Sequence, residues 1–365
     1  MNMHIPLVDL KAQHDSMRKE LDETLKRVID NSSFIMGEEV KKFESSFASY
    51  CGTKHCIGAS NGSTALYAVL KVLGLKEGDE VIMPVNTFIA TAFSATLMGG
   101  KPVFVDVNES DLQINTKLIE KAITPKTKVI IPVHLYGGVC DMDEIKRIAD
   151  KHKLIILEDC AQAHGATYKG KKVPVYGLGC FSFFPAKVLG CLGDGGAIVC
   201  DNDEMAQKFR KFVNHGRIDK YLHDSEGFNF RLDALQSAVL EAKMKYLPGW
   251  VSKRRSLARI YSKELSKLGR QMNSIDVESC YYMYIIRTSN RDDLQKYLKE
   301  KGIETGIHYP VPLHVQPALT YLGYKDGDFP VAEKAAKDIL SIPLYPEMTE
   351  EQQKLIISAI NSFSN

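Results

Sequence analysis

The stretch CFSFFPAKVLGCLGDGGAIV, Cys180 to Val199, sets one cation, Lys187, among aromatic and aliphatic side chains. Its two ends, CFSFFP and GGAIVCD, have the composition of β-strands, and a glycine-rich turn with no helical pattern joins them. This predicts an antiparallel, hairpin-like pair. The segments before it read differently. Short β-type runs at HCIGAS (55–60), EVIMPV (80–85), KPVFVDV (101–107), KVIIPVHLYG (128–137) and LIILEDC (154–160) alternate with helical patterns. Strands that are apolar throughout and separated by helices belong to a mostly parallel sheet covered on both faces. The fold class expected is therefore α/β, a mostly parallel central sheet flanked by helices.

Outside this core the chain is also patterned. DLKAQHDSMRKELDETLKRVIDNS carries one apolar helical stripe, Leu10, Met17, Leu21, Leu25 and Val28. A second helix follows over EEVKKFESSFASYCG, with Gly52 as its stop. Past Pro248 the segments 280–288, 291–302 and 304–310 read as strand, helix, strand, and two helices near 330–339 and 349–362 complete a smaller α+β unit. The expected division is a large unit over 1–245 and a small C-terminal one over 246–365.

The chain has 365 residues, is 44% hydrophobic and 25% charged, and has a formal net charge of +2. It has ample core-forming residues and no charge excess that selects a nucleic-acid partner. The KRR cluster at Lys253–Arg255 reads as a solvated helix face. The eight cysteines form no CxxC pair and no zinc-finger spacing, so they read as small hydrophobes. No signal-peptide pattern and no membrane-length apolar run is visible. A reduced, cytoplasmic protein is expected.

Three features fall at predicted strand ends, where open parallel sheets collect ligands. SNGST, Ser60–Thr64, leaves a strand and opens a helix. Free amides there suit a phosphate, Gly62 permits close approach, and Ser63 and Thr64 offer hydroxyls; an N-cap with no ligand explains the motif equally well. In ILEDCAQAHGA, Asp159 ends an apolar strand, where a carboxylate serves a cation, a metal or a proton. No second ligand has matching spacing, which disfavours a metal, and His164 reads as a satisfied structural histidine. Lys187 is the third feature. An amine in an apolar site loses its proton more readily and becomes a nucleophile able to condense with an aldehyde. Taken alone it reads as a snorkelling surface lysine. A phosphate cup, a strand-end acid and such a lysine are together the parts that pyridoxal 5′-phosphate (PLP) requires.

The segments SNGSTAL, MPVNTFIATA, KPVFVDV, PVHLYG, LEDCAQAHGA, FSFFPAKVLGCLGDGGAIV, NHGR, GFNFRLDALQSA and GIHYPVPLHVQPAL occur in an order and spacing that resemble the DegT/DnrJ/EryC1/StrS sugar aminotransferases, fold-type I PLP enzymes. The resemblance implies that Lys187 is the Schiff-base lysine and Asp159 the partner of the pyridinium nitrogen. It implies Gln162 beside the ring and its phenolic oxygen, and Gly62, Ser63 and Ser182 as phosphate ligands. Phe88 matches the aromatic stacked on the ring. Asn229 matches an asparagine that reaches the cofactor phosphate of a neighbouring subunit, which implies a homodimer with shared active sites. Val188 stands where many members have asparagine, a change that bears on packing only.

The reaction implied is transamination of a nucleotide-diphosphate-linked 3-keto sugar, with L-glutamate as amino donor. The segment Thr305–His314 resembles relatives that aminate C3, with His308, Tyr309 and His314 as candidate sugar contacts; loop packing explains these residues equally well. Amination at C4 of a 4-keto-6-deoxy sugar is the alternative. Lys220 and Tyr221 fall in a loop that resembles a variable one near the substrate. A nicotinamide dehydrogenase is disfavoured because no GxGxxG follows the first strand. A protein of this fold that only binds or regulates is disfavoured by the retained lysine, acid and phosphate ligands.

Overall fold

The computed structural model describes residues 4–265, 268 and 276–363. One four-stranded sheet runs, in spatial order, Lys101–Val105, Glu80–Pro84, Thr127–Ile130, Ile155–Ile156, all parallel. A second runs Glu158–Asp159, Leu178–Ser182, Gly196–Cys200, His55–Ala59. The two sheets are continuous through residues 155–159, where the Leu157 amide donates to the Ile130 carbonyl at 3.0 Å and Asp159 pairs in parallel with Val133. The expected antiparallel pair is present. Gly196–Cys200 opposes Leu178–Ser182, and on its other edge it also opposes His55–Ala59.

Both faces of the sheet are buried, and the strands show why. Ile57, Val81, Met83, Val129, Cys180 and Ile198 point into one apolar cluster, with Ala65, Leu66 and Val69 of the helix Gly62–Val72. Their chain neighbours Cys56, Ile82, Ile130, Phe181 and Val199 point into the other, with Phe43 and Phe47 of the helix Glu38–Cys51 and Ile145 and Ile148 of the helix Met142–His152. Gly52 ends the helix Glu38–Cys51 at φ 74°, the left-handed cap expected of it. All eight cysteines are free and buried.

The predicted opening helix is two, Leu10–Ser16 and Arg18–Asp30, broken where Met17 leaves helical geometry at φ −128°. Met17, Leu21 and Val28 are buried, whereas Leu10 and Leu25 are half-buried. No helix among the described residues is long and apolar enough to cross a membrane.

The expected division at 245–246 falls in the short break between the helices Ala234–Met244 and Leu247–Glu264. Beyond it, Tyr284–Arg287 pairs antiparallel with Ile339–Ile342, not with the 304–310 run. That run makes one isolated bridge, Gly306 to Ser341. Pro310 and Pro312 have no N–H to continue a ladder. The segment instead crosses to the large sheet, where the Leu313 amide donates to the Val85 carbonyl at 3.0 Å. The KRR cluster is not one solvated face either. Arg254 falls on the stripe with Trp250, Val251, Leu257 and Tyr261 and is buried. Its guanidinium donates to the carbonyls of Tyr281, Tyr282 and Leu344.

A polar pair lies inside the sheet. His134 Nε2 is 2.9 Å from Glu158 Oε2, with both side chains fully enclosed. Glu158 also accepts from the amides of Val175 and Tyr176, each at 2.8 Å. With Cys160 the two form a cluster of metal-ligand spacing, but those three hydrogen bonds already occupy both carboxylate oxygens. His134→Ala removes one partner from a carboxylate that water does not reach. We expect a loss of about 3–5 kcal/mol, read as a lower denaturant midpoint with an unchanged slope. A midpoint equal to wild type would show that the pair contributes no net stability.

Candidate active site

A cavity of about 590 Å³ opens at the carboxyl ends of the parallel strands. Nine of the residues singled out in the sequence line it: Gly62, Ser63, Thr64, Phe88, Asp159, Gln162, Ser182, Lys187 and Tyr309.

One end of the cavity is a helix N-terminus. Asn61 caps the helix Gly62–Val72, its side chain accepting from the Thr64 amide at 2.9 Å. The Thr64 hydroxyl returns the favour, accepting from the Asn61 amide and donating to the Asn61 carbonyl at 2.9 Å. It is thus engaged in the cap, and Ser63 and Ser182 are the hydroxyls of this wall left for a ligand. Gly62 is required by contact: a Cβ there would lie 2.8 Å from the Ser182 Cβ.

Asp159 lines the same cavity and is 5% exposed. Its Oδ2 accepts from the Thr91 hydroxyl at 2.9 Å and its Oδ1 from the Ala161 amide at 3.1 Å. Burial raises its pKa above the ordinary carboxylate value. Those two hydrogen bonds oppose the rise, and so, less strongly, do the charges of Lys187 and His134. Thr91 lies in the helix Ile89–Thr96 that Phe88 precedes, and Thr87 is 3.0 Å from it, hydroxyl to hydroxyl.

Gln162 ties the wall to the C-terminal part. Its Oε1 accepts from the Tyr136 amide at 2.6 Å, and its Nε2 donates to the Tyr309 hydroxyl at 3.2 Å. Tyr136 in turn donates through its hydroxyl to the His308 carbonyl. Tyr309 lies 5.9 Å from Phe88, ring to ring and tilted. Lys187 is half-buried, its ammonium 4.5 Å from the centre of the Tyr282 ring, within range of cation–π attraction.

The other predicted residues lie elsewhere. His308 is not in the cavity wall; its Nδ1 is 2.9 Å from the Ser341 hydroxyl, and burial lowers its pKa to about 4. His314 is enclosed against Phe329, with Nε2 2.9 Å from Glu333 Oε1. Lys220 and Tyr221 are exposed, the ammonium lying over the neighbouring ring. Asn229 is exposed, between Phe228 and Phe230. His164 is enclosed, as expected of a structural histidine, but it is not the satisfied one expected: both ring nitrogens are buried without a hydrogen-bond partner among the described residues, packing against Phe47, Phe181 and Phe183 holds the ring, and burial pushes its pKa down to about 3.

Sequence reading missed Thr91 and Tyr282. Thr91 carried a usable signal, since Thr87 and Thr91 are four apart at the start of a helix that follows a strand end. Tyr282 carried none. It is one tyrosine in YYMY, and only the fold brings it to Lys187. Asp194 of the glycine-rich turn also lines the cavity.

The chain as a whole is similar to known proteins. The profile of the DegT/DnrJ/EryC1/StrS aminotransferase family fits residues 15–361. A pleiotropic regulatory protein of Geobacillus stearothermophilus is 44% identical over 99% of both chains. The dTDP-3-amino-3,4,6-trideoxy-alpha-D-glucose transaminase of Streptomyces venezuelae is 40% identical over 99% of this chain and 96% of its own. Among solved structures, S. venezuelae DesV in complex with a ketimine intermediate superposes with a TM-score of 0.97 at 39% identity, covering 99% of each chain. NtdA from Bacillus subtilis with bound cofactor PMP gives 0.91 at 33% identity, covering 98% of this chain and 85% of its own. With a match that spans nearly its whole length, this chain belongs to the DegT/DnrJ/EryC1/StrS aminotransferase family and is an aminotransferase.

Proposed function

We propose that the protein transfers an amino group to C3 of a nucleotide-diphosphate-linked 3-keto sugar, with L-glutamate as donor and PLP as cofactor. One observation carries the reading. A buried acid, Asp159, and a lysine, Lys187, share a cavity that is also lined by a helix N-terminus and two serine hydroxyls, Ser63 and Ser182. PLP has a protonatable ring nitrogen, an aldehyde and a phosphate, and the cavity has a group suited to each. The approach of Gly62 to Ser182 leaves the cup free of side-chain bulk on that side.

When bound, PLP supplies an aldehyde that condenses with amines and a ring that takes up electrons from the substrate carbon. The chain supplies the rest. Gly62, Ser63 and Ser182 would hold its phosphate, Asp159 would keep its ring nitrogen protonated, Gln162 would meet its phenolic oxygen, and Phe88 would cover the ring. Lys187 would hold the aldehyde and, as a free amine, would move a proton at the substrate carbon. The Tyr282 ring, 4.5 Å from the Lys187 ammonium, can seat that charge.

The sugar position rests on the name of the 40% identical S. venezuelae transaminase, a 3-amino sugar enzyme, and on the resemblance in Thr305–His314. Tyr309 is the sugar contact we retain from that segment, since it alone of the three candidates lines the cavity. The 44% identical relative has a regulatory name, but Lys187 and Asp159 brought together in one cavity favour a catalyst. We also propose a symmetric homodimer. Phe88, Leu97 and Phe228 are all more than half exposed. Four residues here, Ser63, Thr64, Phe88 and Ala90, line both the active-site cavity and an adjoining apolar one of about 510 Å³. A partner covering that face would bring its own Asn229 to the phosphate.

Supplying nucleotide-linked 3-keto and 4-keto sugars with L-glutamate, and locating the new amine by NMR, decides the substrate. An amine at C3 is expected; an amine at C4 would overturn the assignment, and no product from any member would overturn the reading as a sugar aminotransferase. Lys187→Ala should remove the visible absorption band of the purified holoprotein, and a band of wild-type position and intensity would exclude the lysine as the anchor. Asp159→Asn, assayed at saturating PLP, should lower turnover by at least about a hundredfold, the scale of losing a catalytic protonation partner. Wild-type rates would remove Asp159 from the mechanism.

A further inference from the structure

Lys243 has no exposed surface, and the proposed reaction does not use it. It lies in the last turn of the helix Ala234–Met244. Its ammonium donates to the Gly190 carbonyl at 2.8 Å and lies 3.4 Å from Gln13 Oε1 and 3.3 Å from His14 Nε2 of the helix Leu10–Ser16. These partners are neutral. Burial, and then the charge of Lys243 itself, hold the His14 imidazole below its ordinary range, so it is an acceptor here. Cys191 and Glu347 act on the ammonium through charge, more weakly than its burial does. A cation enclosed without a carboxylate is expensive to keep, and the contact it makes most closely is the Gly190 carbonyl.

Gly190 sits at the neck of the loop that carries Lys187. The Cys191 amide donates to the Phe183 carbonyl at 2.9 Å, closing residues 184–190 into a lasso, and the Lys187 amide donates to the Phe184 carbonyl at 2.8 Å within it. The neck is tight: a Cβ at Gly190 would stand 2.2 Å from the Pro185 carbonyl oxygen. Val188 and Leu189 of the loop pack into the apolar cluster behind the sheet, and just past the neck the Leu192 amide donates to Gln236 Oε1 at 2.8 Å. Apolar contacts carry no direction, so the orientation of the neck itself rests on the hydrogen bond from Lys243 to the Gly190 carbonyl.

We propose that Lys243 is a positioning residue: through the Gly190 carbonyl it locks the lasso against two helices and so holds Lys187 in line with Asp159. The inference rests on the reading of Lys187 as the cofactor's anchor.

Lys243→Met keeps the length of the side chain and removes the donor. In cofactor-free protein, amide hydrogen exchange at Lys187 and Cys191 should quicken about tenfold over wild type. Tm should hold or rise, because packed methylenes replace an enclosed charge. In the holoprotein, the fraction of Lys187 captured by borohydride, read by peptide mapping, should fall. Lasso exchange at the wild-type rate would overturn the proposal. A fall in Tm with faster exchange across the central sheet would overturn it too, since Lys243 would then be a packing residue. The two readings fail separately. A wild-type holoprotein without a visible band defeats the cofactor assignment, while the exchange measurement, made without cofactor, still decides whether Lys243 orders the loop.

Discussion

The rest of the site depends on a carboxylate removed from water. Asp159 sits at the end of a strand covered on both faces, where its ionised form is disfavoured unless something answers it. The Thr91 hydroxyl and the Ala161 amide take one oxygen each. Both donors are fixed by regular structure, Thr91 by the helix after Phe88 and Ala161 by the turn after the strand. The side chain therefore has a direction as well as a charge. The same cavity is lined by a helix N-terminus, with partial positive charge from its unpaired amides. It therefore offers both an acid and a seat for an anion. A molecule with a protonated nitrogen and a phosphate answers both, whereas a neutral apolar ligand answers neither.

The C-terminal part of the chain completes the cavity. Arg254 is enclosed and donates to the Tyr281 and Tyr282 carbonyls, which fixes the backbone that presents the Tyr282 ring to Lys187. The same guanidinium holds the Leu344 carbonyl. On the other side, Gln162 spans from the Tyr136 amide to the Tyr309 hydroxyl. Gln162 and Tyr309, 147 positions apart, are therefore joined by a half-buried hydrogen bond, and the Arg254 bonds are enclosed from water, where an unmet partner is most damaging. A displacement of the C-terminal segment would change the surroundings of Lys187 and Gln162 together.

What was legible in the sequence followed from local pattern. Apolar strand runs, a glycine at a helix end and an acid closing LIILED express nearest-neighbour physics, and most appear where read. KVIIPVHLYG, however, is strand only over Thr127–Ile130 and turns helical at Leu135–Gly137, and LIILEDC divides into Ile155–Ile156 and Glu158–Asp159 in different sheets. The errors share one cause. The 304–310 run has strand composition, but Pro310 cannot donate, and the strand Tyr284–Arg287 pairs instead with Ile339–Ile342. KRR has the composition of a wet surface, yet helical phase sets Arg254 on the inner stripe and leaves Lys253 outside. His314 resembled a ligand-facing histidine until Glu333, nineteen positions away, took its Nε2. In each case a contact distant in sequence overrode local character. Thr64 shows the same at short range: its hydroxyl was read as free and is engaged in the cap.

The exposed rings at the cavity mouth extend this logic beyond one chain. Phe88, the ring assigned to cover the cofactor, is 54% exposed, and Phe228, beside Asn229, is 51% exposed. Leaving large apolar surface in water beside a polar cavity is unfavourable. A bound cofactor would cover part of Phe88 but would not reach Phe228 and Leu97 on the flank. A second copy related by a two-fold axis would cover the flank, and an isologous contact would do so for both subunits at once. In that arrangement Asn229, which has no cavity to face in its own chain, acquires one in its neighbour. The exposed aromatics and the displaced asparagine are then two sides of the same contact. The apolar surface would supply the association, and the polar side chain would fix which cavity it completes.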